Sequence, residues 1–414
     1  MSGLHNMRVI RAAAGAWLAA CLSLLLVGCS AKPTGSGVAE PTPEEAQGVS
    51  PAAEGSPHTI LQDDFRNPDL GNGWAPISTM DLQYARCFSV DRYEGGYQLL
   101  CLADGNRYLV VPEGAEVPTG IDGDIIVLQQ PMGDIYLVAS DSMCLFDALG
   151  ALDAITVSGI ERDDWHIAAA RDAMDAGDIV YGGKYRAPDY ELLLSKGVRL
   201  AVESTMINHN PDVREKLIEL GIPVLVELSS YEDEPLGRTE WIRLYGALLG
   251  CDDLARQRFQ EQVDRVGTIA EVPSGKTVAF FYLNSNGAPV VRRPGDYVTK
   301  MIERAGGTYA FDSLEAATMG RSSITLQMEQ FYALAKDADV LIYNGSIDDT
   351  VASLDALLAK CDLLADFKAV REGSVWATEQ SMYQQMMATG DIIADFNHVL
   401  VGDESDLTYL RKLS

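Results

Sequence analysis

The chain has 414 residues, of which 60 are acidic and 32 are basic, so its formal net charge is −28. Such an acidic surface repels nucleic acid, because nucleic-acid binding needs a basic footprint. The acidity otherwise indicates a solvated, soluble exterior and says little about a ligand. The chain is also longer than one hydrophobic core usually serves, so two domains are expected.

The N-terminal segment has the parts of an export signal in the usual order. Two arginines precede the apolar run Ala12–Val27, and Gly28 then provides a small residue at a cleavage site. The run is too short to span a bilayer comfortably, so it indicates a cleaved signal peptide rather than a membrane helix. Residues 1–28 are therefore predicted to be a signal peptide.

The end of this segment carries a more specific pattern. Leu26-Val27-Gly28-Cys29 resembles the lipobox of bacterial lipoproteins, in which the cysteine receives a diacylglyceryl group and becomes the mature N-terminus. The resemblance implies lipidation at Cys29 and a protein anchored at the extracytoplasmic face of the cell membrane, because two acyl chains hold a protein durably. An ordinary signal peptide with a fortuitous cysteine is the alternative.

Composition divides the rest of the chain into segments. Residues 29–59 are rich in Pro, Gly, Ala, Glu and Ser and have few aliphatic side chains, which predicts a disordered stalk. We then expect an N-terminal lobe over 60–235, an inter-lobe helix over 236–272 and a C-terminal lobe over 273–414.

Five cysteines remain after the signal peptide and Cys29 are set aside. They follow neither a CxxC nor a zinc-like spacing, which favours buried apolar packing over metal binding. Five is an odd number, so at least one thiol stays unpaired. An exported protein permits a disulfide between Cys87 and Cys101, but the sequence does not establish one.

Short apolar runs alternate with amphipathic stretches along the folded part. This alternation predicts an α/β fold with parallel sheets and right-handed crossovers. The predicted strands are Ile125–Gln129, Ile135–Ala139, Ala154–Val157, Asp178–Tyr181, Leu200–Glu203, Val224–Glu227, Thr277–Leu283, Val340–Tyr343 and Ser374–Ala377. One helix is predicted from Asn210-Pro211 to Gly221 and another between Pro188 and Gly197. Three more helices are predicted to begin at Asp296, near Thr325 and at Ser353.

Two further segments have their own patterns. Leu236–Val266 keeps helical spacing of its apolar residues and would reach about 45 Å if unbroken, although Gly246 or Gly250 is a possible interruption. Asp63–Gly123 instead has Gly-Gly, Asp-Gly and Asn-Gly turns between β-prone pieces, which predicts hairpins packed on the first lobe.

Several short sequence segments resemble segments of the substrate-binding proteins of ABC importers for iron complexes, haem and cobalamin. They are Gly237–Ile242 with Leu248–Gly250, Asp296–Ile302 with Ala305–Gly307, and Glu329–Ala333 leading into Asp337–Tyr343. The resemblance implies two Rossmann-like α/β lobes joined by one long inter-lobe helix, with a small β-rich N-terminal addition to the first lobe. It also implies a monomer that captures a ferric siderophore, haem or cobalamin as ligand and has no intrinsic cofactor.

The same resemblance implies partners. Such proteins deliver their ligand to a permease and its ATPase, and an exposed acid on each lobe contacts the permease. Glu329 matches the second-lobe position, whereas Cys144 stands where the family usually has a glutamate in the first lobe. Asp141 or Asp147 is the expected substitute.

Candidate ligand contacts follow the predicted strand ends, where ligands of open α/β sheets bind. Each has an ordinary structural alternative, such as a glycine turn, a helix cap or a surface ion pair. In the first lobe the candidates are Tyr181, Lys184, Tyr185, Glu203, Ser204, Thr205, Met206, Tyr231 and Arg238. In the second lobe they are Tyr282, Asn284, Arg292, Arg293, Tyr297, Asn344 and Trp376.

The sequence has no sign of a bare metal site or of a known catalytic motif. His166, His209 and His398 are isolated, whereas zinc sites cluster their ligands, and neither GxSxG nor HExxH occurs. The resemblance to the importer proteins therefore leads us to predict a receptor for a metal chelate and no enzyme activity. A cell-surface hydrolase or metal-handling enzyme using the same cleft is the alternative, and an adhesion or sensor module is a third possibility.

Overall fold

A computed structural model describes residues 61, 62, 64–269, 273–314 and 322–414, all within the structural unit Thr42–Ser414. The predicted signal peptide, the lipidated Cys29 and the stalk lie outside the described residues.

The first strands form the predicted β-rich addition. Its sheet has the order β1-β2-β3-β4-β5, antiparallel except for the parallel pair β4 and β5. The strands are β1 Ser78–Thr79, β2 Phe88–Arg92, β3 Gln98–Leu102, β4 Arg107–Val111 and β5 Ile125–Gln129. The predicted strand Ile125–Gln129 is confirmed at its bounds, and it pairs along its whole length with β4 in this sheet.

The first lobe is a parallel sheet with helices on its connections. Its order is β10-β9-β6-β7-β8, and every neighbouring pair is parallel. The strands are β6 Ile135–Leu137, β7 Ile155–Ser158, β8 Val180–Tyr181, β9 Leu200–Glu203 and β10 Val224–Val226. The helices are α1 Met143–Ala148, α2 Ala168–Ala176, α3 Tyr190–Ser195 and α4 Pro211–Glu219.

The segment between the lobes is three helices and not one long helix. They are α5 Pro235–Glu240, α6 Ile242–Leu249 and α7 Asp252–Gly267. Gly250 adopts the left-handed conformation, with φ of 76°, which ends α6. A Cβ on Gly246 would lie 2.4 Å from the Cβ of Ala255, so α6 and α7 pack closely together after the turn. The glycines that sequence analysis considered as interruptions therefore fold the segment back on itself.

The second lobe has a mixed sheet and its own hydrophobic core. The sheet order is β14-β12-β11-β15-β16-β17, with β13 paired to β11, and β11, β15 and β16 are parallel. The strands are β11 Thr277–Leu283, β12 Pro289–Arg292, β13 Thr308–Tyr309, β14 Ser323–Thr325, β15 Val340–Tyr343, β16 Val375–Thr378 and β17 Leu410–Lys412. The helices are α8 Tyr297–Arg304, α9 Met328–Ala335, α10 Leu354–Lys360, α11 Lys368–Arg371 and α12 Thr389–Val401. The prediction of two α/β lobes is thus confirmed.

Two buried glutamates attach the β-rich addition to the start of the linking helices. Glu240 accepts hydrogen bonds of 2.8–3.1 Å from the backbone N–H groups of residues 83–85. Glu232 accepts bonds of 2.9 Å from the backbone N–H groups of Arg86 and Cys87, and a bond of 3.1 Å from the indole N–H of Trp241. The backbone N–H groups of residues 83–87, which lie before β2 and pair with no strand, therefore all have a hydrogen-bond acceptor.

The cysteines of the described residues are all free thiols. Cys87 is buried just before β2 and Cys101 is buried on the neighbouring strand β3, and the disulfide that export would permit is not formed.

We predict that Glu240→Ala lowers the free energy of unfolding by about 2–4 kcal/mol, because three amides then lose a charged acceptor. Glu240→Gln keeps one acceptor oxygen and should cost less. Urea denaturation followed by circular dichroism measures both changes. The exposed Glu215→Ala is the matched control, and an equal effect of Glu240→Ala and Glu215→Ala would contradict the anchoring role.

Candidate functional site

A buried arginine lies where the two lobes meet. Arg238, on α5, places its guanidinium carbon 4.2 Å from the ring centroid of Tyr297, the first residue of α8 in the second lobe. The same guanidinium donates to the carboxylate of Asp141 and to the carbonyl of Ser229, both at 3.2 Å. A cation–π contact and an ion pair therefore join the strand ends of the first lobe to the second. We call this contact zone the seam.

The second lobe contributes another arginine to the seam. Arg292 forms a bidentate ion pair with Asp296 at 2.9 and 2.8 Å, and its guanidinium carbon lies 5.4 Å from the Tyr297 ring. It also lies 5.9 Å from the ring of Tyr383, whose hydroxyl accepts a 2.7 Å bond from the side-chain amide of Asn344. The other amide atom, the Asn344 oxygen, is buried and has no hydrogen-bond partner among the described residues.

Burial and opposite charges determine the ionisation of the seam. Burial opposes the charge of Arg238, but Tyr297 and the carboxylates of Asp141 and Glu227 outweigh it and raise the pKa of the guanidinium. The pKa of Glu227 is raised well above its ordinary value, first by burial and then by Asp141. Arg238 thus stays a cation, next to one carboxyl group that is readily protonated.

Other polar contacts keep the seam closed. Gln384 accepts a 2.8 Å bond from the backbone N–H of His166 and donates a 2.9 Å bond to the carbonyl of Asp164. The hydroxyls of Thr239 and Thr389 lie 2.8 Å apart. The space left beside Arg238 and Tyr297 is only about 10 Å³, so a bound molecule larger than water requires the lobes to separate.

A larger opening lies next to the seam, and we call it the rim cavity. It has a volume of about 500 Å³, which is within the range of ligand pockets. Its walls come from the β-rich addition, from the loop before α5 and from α8, and the residues are Gln83, Tyr84, Arg86, Tyr231, Glu232, Asp233, Glu234, Lys300 and Arg304. Glu234 bonds to Lys300 at 2.8 Å and to Arg304 at 2.9 Å.

Several predicted ligand contacts come together in these two places. Arg238, Tyr297, Arg292 and Asn344 meet in the seam, and Tyr231 lines the rim cavity.

Arg293 bridges the lobes instead, through a 2.7 Å bond to Asp233. Lys184 and Tyr185 are half-buried in the loop after β8, where the hydroxyl of Tyr136 donates to the carbonyl of Gly183 at 2.6 Å.

Other candidates in the first lobe are not among the residues that form the seam or line the rim cavity. Glu203 is fully buried at the end of β9, and neither of its carboxyl oxygens has a hydrogen-bond partner among the described residues. Ser204 caps the short helix that contains Thr205 and Met206. Tyr181 is exposed at the end of β8.

In the second lobe, three candidates lie within or next to sheet strands. Trp376 is buried in β16, and Tyr282 is half-buried in β11. The side-chain oxygen of Asn284 accepts from the backbone N–H groups of Asn286 and Ala288, so it stabilises the turn after β11.

The two acids expected to dock on a permease lie in different environments. Glu329 is exposed on α9. Asp141 lies in the seam and binds Arg238, so its carboxylate is not the exposed acid that docking requires. Asp147, the other residue that sequence analysis considered, is exposed on α1 and replaces Asp141 as the candidate.

Sequence analysis missed the second-lobe side of the seam. Tyr383 and Gln384 belong to the short helix Gln380–Gln384, which follows β16. The rule that ligands lie beyond the carboxyl ends of parallel strands would have found them, had it been applied past Trp376.

No group of three or more His, Cys, Asp or Glu side chains in the described part of the chain is placed to hold a metal ion. Within the same residues, no helix has the length and apolar character to cross a bilayer.

Comparison with known proteins places this fold in a family. A family model described as periplasmic binding protein matches residues 137–382, more than half of the chain, and the match begins after the β-rich addition. Two uncharacterized lipoproteins of Methanocaldococcus jannaschii are each 24% identical to this chain. The alignments cover 75% of this chain and 77% of the first relative, and 80% of this chain and 86% of the second.

Solved structures share the fold. A periplasmic haem-binding protein from Pseudomonas aeruginosa aligns with a TM-score of 0.52 and 17% identity, over 69% of this chain and 98% of its own. The periplasmic haem-binding protein of Vibrio cholerae aligns with a TM-score of 0.50 and 18% identity, over 64% of this chain and 98% of its own. A possible iron-binding protein from Staphylococcus epidermidis aligns with a TM-score of 0.51 and 13% identity, over 64% of this chain and 97% of its own. At these identities the likeness establishes the fold alone.

The buried carboxyl group of Glu203 generates a prediction about stability. Burial raises its pKa well above the ordinary value, so the folded state keeps a proton that the unfolded state releases. Stability is therefore lost as the pH rises above the unfolded pKa of about 4.3.

We expect Glu203→Gln to be more stable than the parent by about 1–3 kcal/mol at pH 7.5, because it removes this loss, and equally stable near pH 4. Urea unfolding at the two pH values measures the difference. The exposed Glu215→Gln should show no such pH dependence, and a Glu203→Gln variant less stable than the parent at pH 7.5 would refute the prediction.

Proposed function

Because the chain belongs to the periplasmic-binding protein family, we propose that it is a lipid-anchored receptor that captures a ferric siderophore or a related metal chelate. It would hold the chelate between its lobes and deliver it to the permease of an ABC importer. Haem and cobalamin are the related chelates in question.

Membership in the family confirms the resemblance noted in the sequence. The family provides the substrate-binding components of ABC importers, and its members bind solutes without converting them. The alternative of a hydrolase or metal-handling enzyme is therefore not retained.

The arginine–tyrosine contact in the seam is the observation that supports a chelate ligand. Many metal chelates present flat rings together with anionic oxygens. Arg238 offers a planar cation that pairs with carboxylate or catecholate oxygens, and Tyr297 offers a ring face for stacking. Arg292 adds a second cation within reach of the same ring.

The relatives are consistent with this ligand class. The structures from Pseudomonas aeruginosa and Vibrio cholerae are described as haem-binding proteins, and the one from Staphylococcus epidermidis as a possible iron-binding protein. A chelate of this size would have to separate the lobes, because the closed seam holds only about 10 Å³.

The anchor and the docking residues belong to the same proposal. Lipidation at Cys29 is supported by the lipobox and by the lipoprotein names of the two archaeal relatives. Glu329 and Asp147 are exposed on opposite lobes, as a two-point contact with a permease requires.

We predict that the mature protein binds at least one chelate of a panel of ferric siderophores, haemin and cobalamin, and that Arg238→Ala weakens this binding about tenfold or more. Tyr297→Leu keeps the arginine and removes the ring, so it should weaken binding as well. Intrinsic fluorescence titration gives the affinities, and thermal unfolding without ligand confirms that each variant folds.

Arg256→Ala, an exposed arginine on α7, is the matched control and should bind as the parent does. Failure of the whole panel to bind, or full affinity in both seam variants, would reject the chelate proposal.

A further inference from the structure

The rim cavity contains an arginine with no counterion. Arg86 is exposed at the wall formed by the β-rich addition, and its guanidinium makes no hydrogen bond or ion pair with any described residue. Its backbone is held in place, because its N–H group donates to Glu232. The side chain therefore points from a fixed main chain and remains available to an incoming anion.

The acidic residues of the cavity are already engaged. The carboxylate of Glu232 is occupied by backbone amides and Trp241, and Asp233 pairs with Arg293 at 2.7 Å.

Glu234 is the carboxylate of the cavity that pairs with the two cations of α8, Lys300 and Arg304. Burial opposes its charge, but hydrogen bonds from Lys300 and Arg304 lower its pKa, so it is a carboxylate that both cations share.

The balance of charge in the cavity is therefore opposite to that of the molecule. With Arg293, which pairs with Asp233, the cavity has four cations, the others being Arg86, Lys300 and Arg304. The three carboxylates Glu232, Asp233 and Glu234 oppose them, so one positive charge is left over, and Arg86 is the cation without an ion pair among the described residues. The whole chain has a net charge of −28, so a concave site with surplus positive charge stands out from the average surface.

We infer that the rim cavity is a binding site for a small polycarboxylate. Arg86 and Arg304 have the planar fork that pairs with carboxylate oxygens, and a volume of about 500 Å³ admits a molecule with several such groups. The cavity lies beside the seam, and one of its walls precedes residue 137, where the family match begins. One wall of the site thus belongs to the β-rich addition, and the inference does not rest on the proposed chelate function.

Occupation of the cavity would join three parts of the chain. The addition contributes Arg86, the first lobe contributes the loop before α5, and the second lobe contributes Lys300 and Arg304. A polycarboxylate bound to Arg86 and to α8 would therefore bridge the addition to the second lobe and favour the closed arrangement.

Isothermal titration of the mature protein with citrate, at an ionic strength held constant with NaCl, tests the inference. We expect citrate to bind the parent, and Arg86→Ala and Arg304→Ala each to weaken this binding about tenfold or more. Arg256→Ala should leave it unchanged. Because the Arg86 side chain has no partner among the described residues, Arg86→Ala should also keep the melting temperature of the ligand-free parent.

Absence of citrate binding, or equal binding by the parent and Arg86→Ala, would overturn the site. Inorganic phosphate binding more tightly than citrate would overturn the assignment to polycarboxylates. Chelate binding that depends on Arg238 is measured separately, so failure of one proposal leaves the other distinguishable.

Discussion

The arrangement of the molecule depends on two buried carboxylates that bind five consecutive backbone amides. Glu232 and Glu240 hold residues 83–87 against the start of the linking helices. Charged acceptors make stronger hydrogen bonds than neutral ones, and buried amides without partners are costly. This attachment fixes Arg86 at the rim cavity, while Arg238, on the helix that ends at Glu240, reaches the other lobe. One short segment thus organises both candidate sites.

The seam is electrostatically complete without a ligand, and this constrains how it can work. Arg238 already has Asp141 and the Tyr297 ring as partners. Asp141 and Arg238 both lie on the first-lobe side, so separation of the lobes takes the Tyr297 ring away from Arg238 and leaves the ion pair in place. Since a buried charge that loses its partner is strongly destabilising, this retained pair stabilises Arg238 while the seam is open. A ligand anion in the open seam therefore takes the place of the Tyr297 ring beside Arg238.

The sequence predicted the elements better than their contacts. Strand periodicity located Leu200–Glu203, Thr277–Leu283 and Val340–Tyr343 at their observed bounds, because parallel strands buried on both faces are apolar throughout. The same signal does not state which sheet a strand joins, so the pairing of Ile125–Gln129 with β4 could not be predicted. It also does not predict the ion pair between Asp141 and Arg238, which are 97 residues apart in the sequence. Such a contact depends on which loops the fold brings close together. Candidate residues at strand ends could be proposed from the sequence, whereas the side chains that they contact could not.

A single helix of the second lobe serves both candidate sites. Tyr297, Lys300 and Arg304 stand at positions i, i+3 and i+7 of α8, which places them along one face of the helix. The Tyr297 ring stacks against the guanidinium of Arg238. Lys300 and Arg304, about one and two helical turns later, both pair with Glu234. Because the helix is rigid over this length, separation of the lobes at Tyr297 must also draw both cations away from Glu234. The seam and the rim cavity therefore open together, and an anion that holds one closed acts on the other.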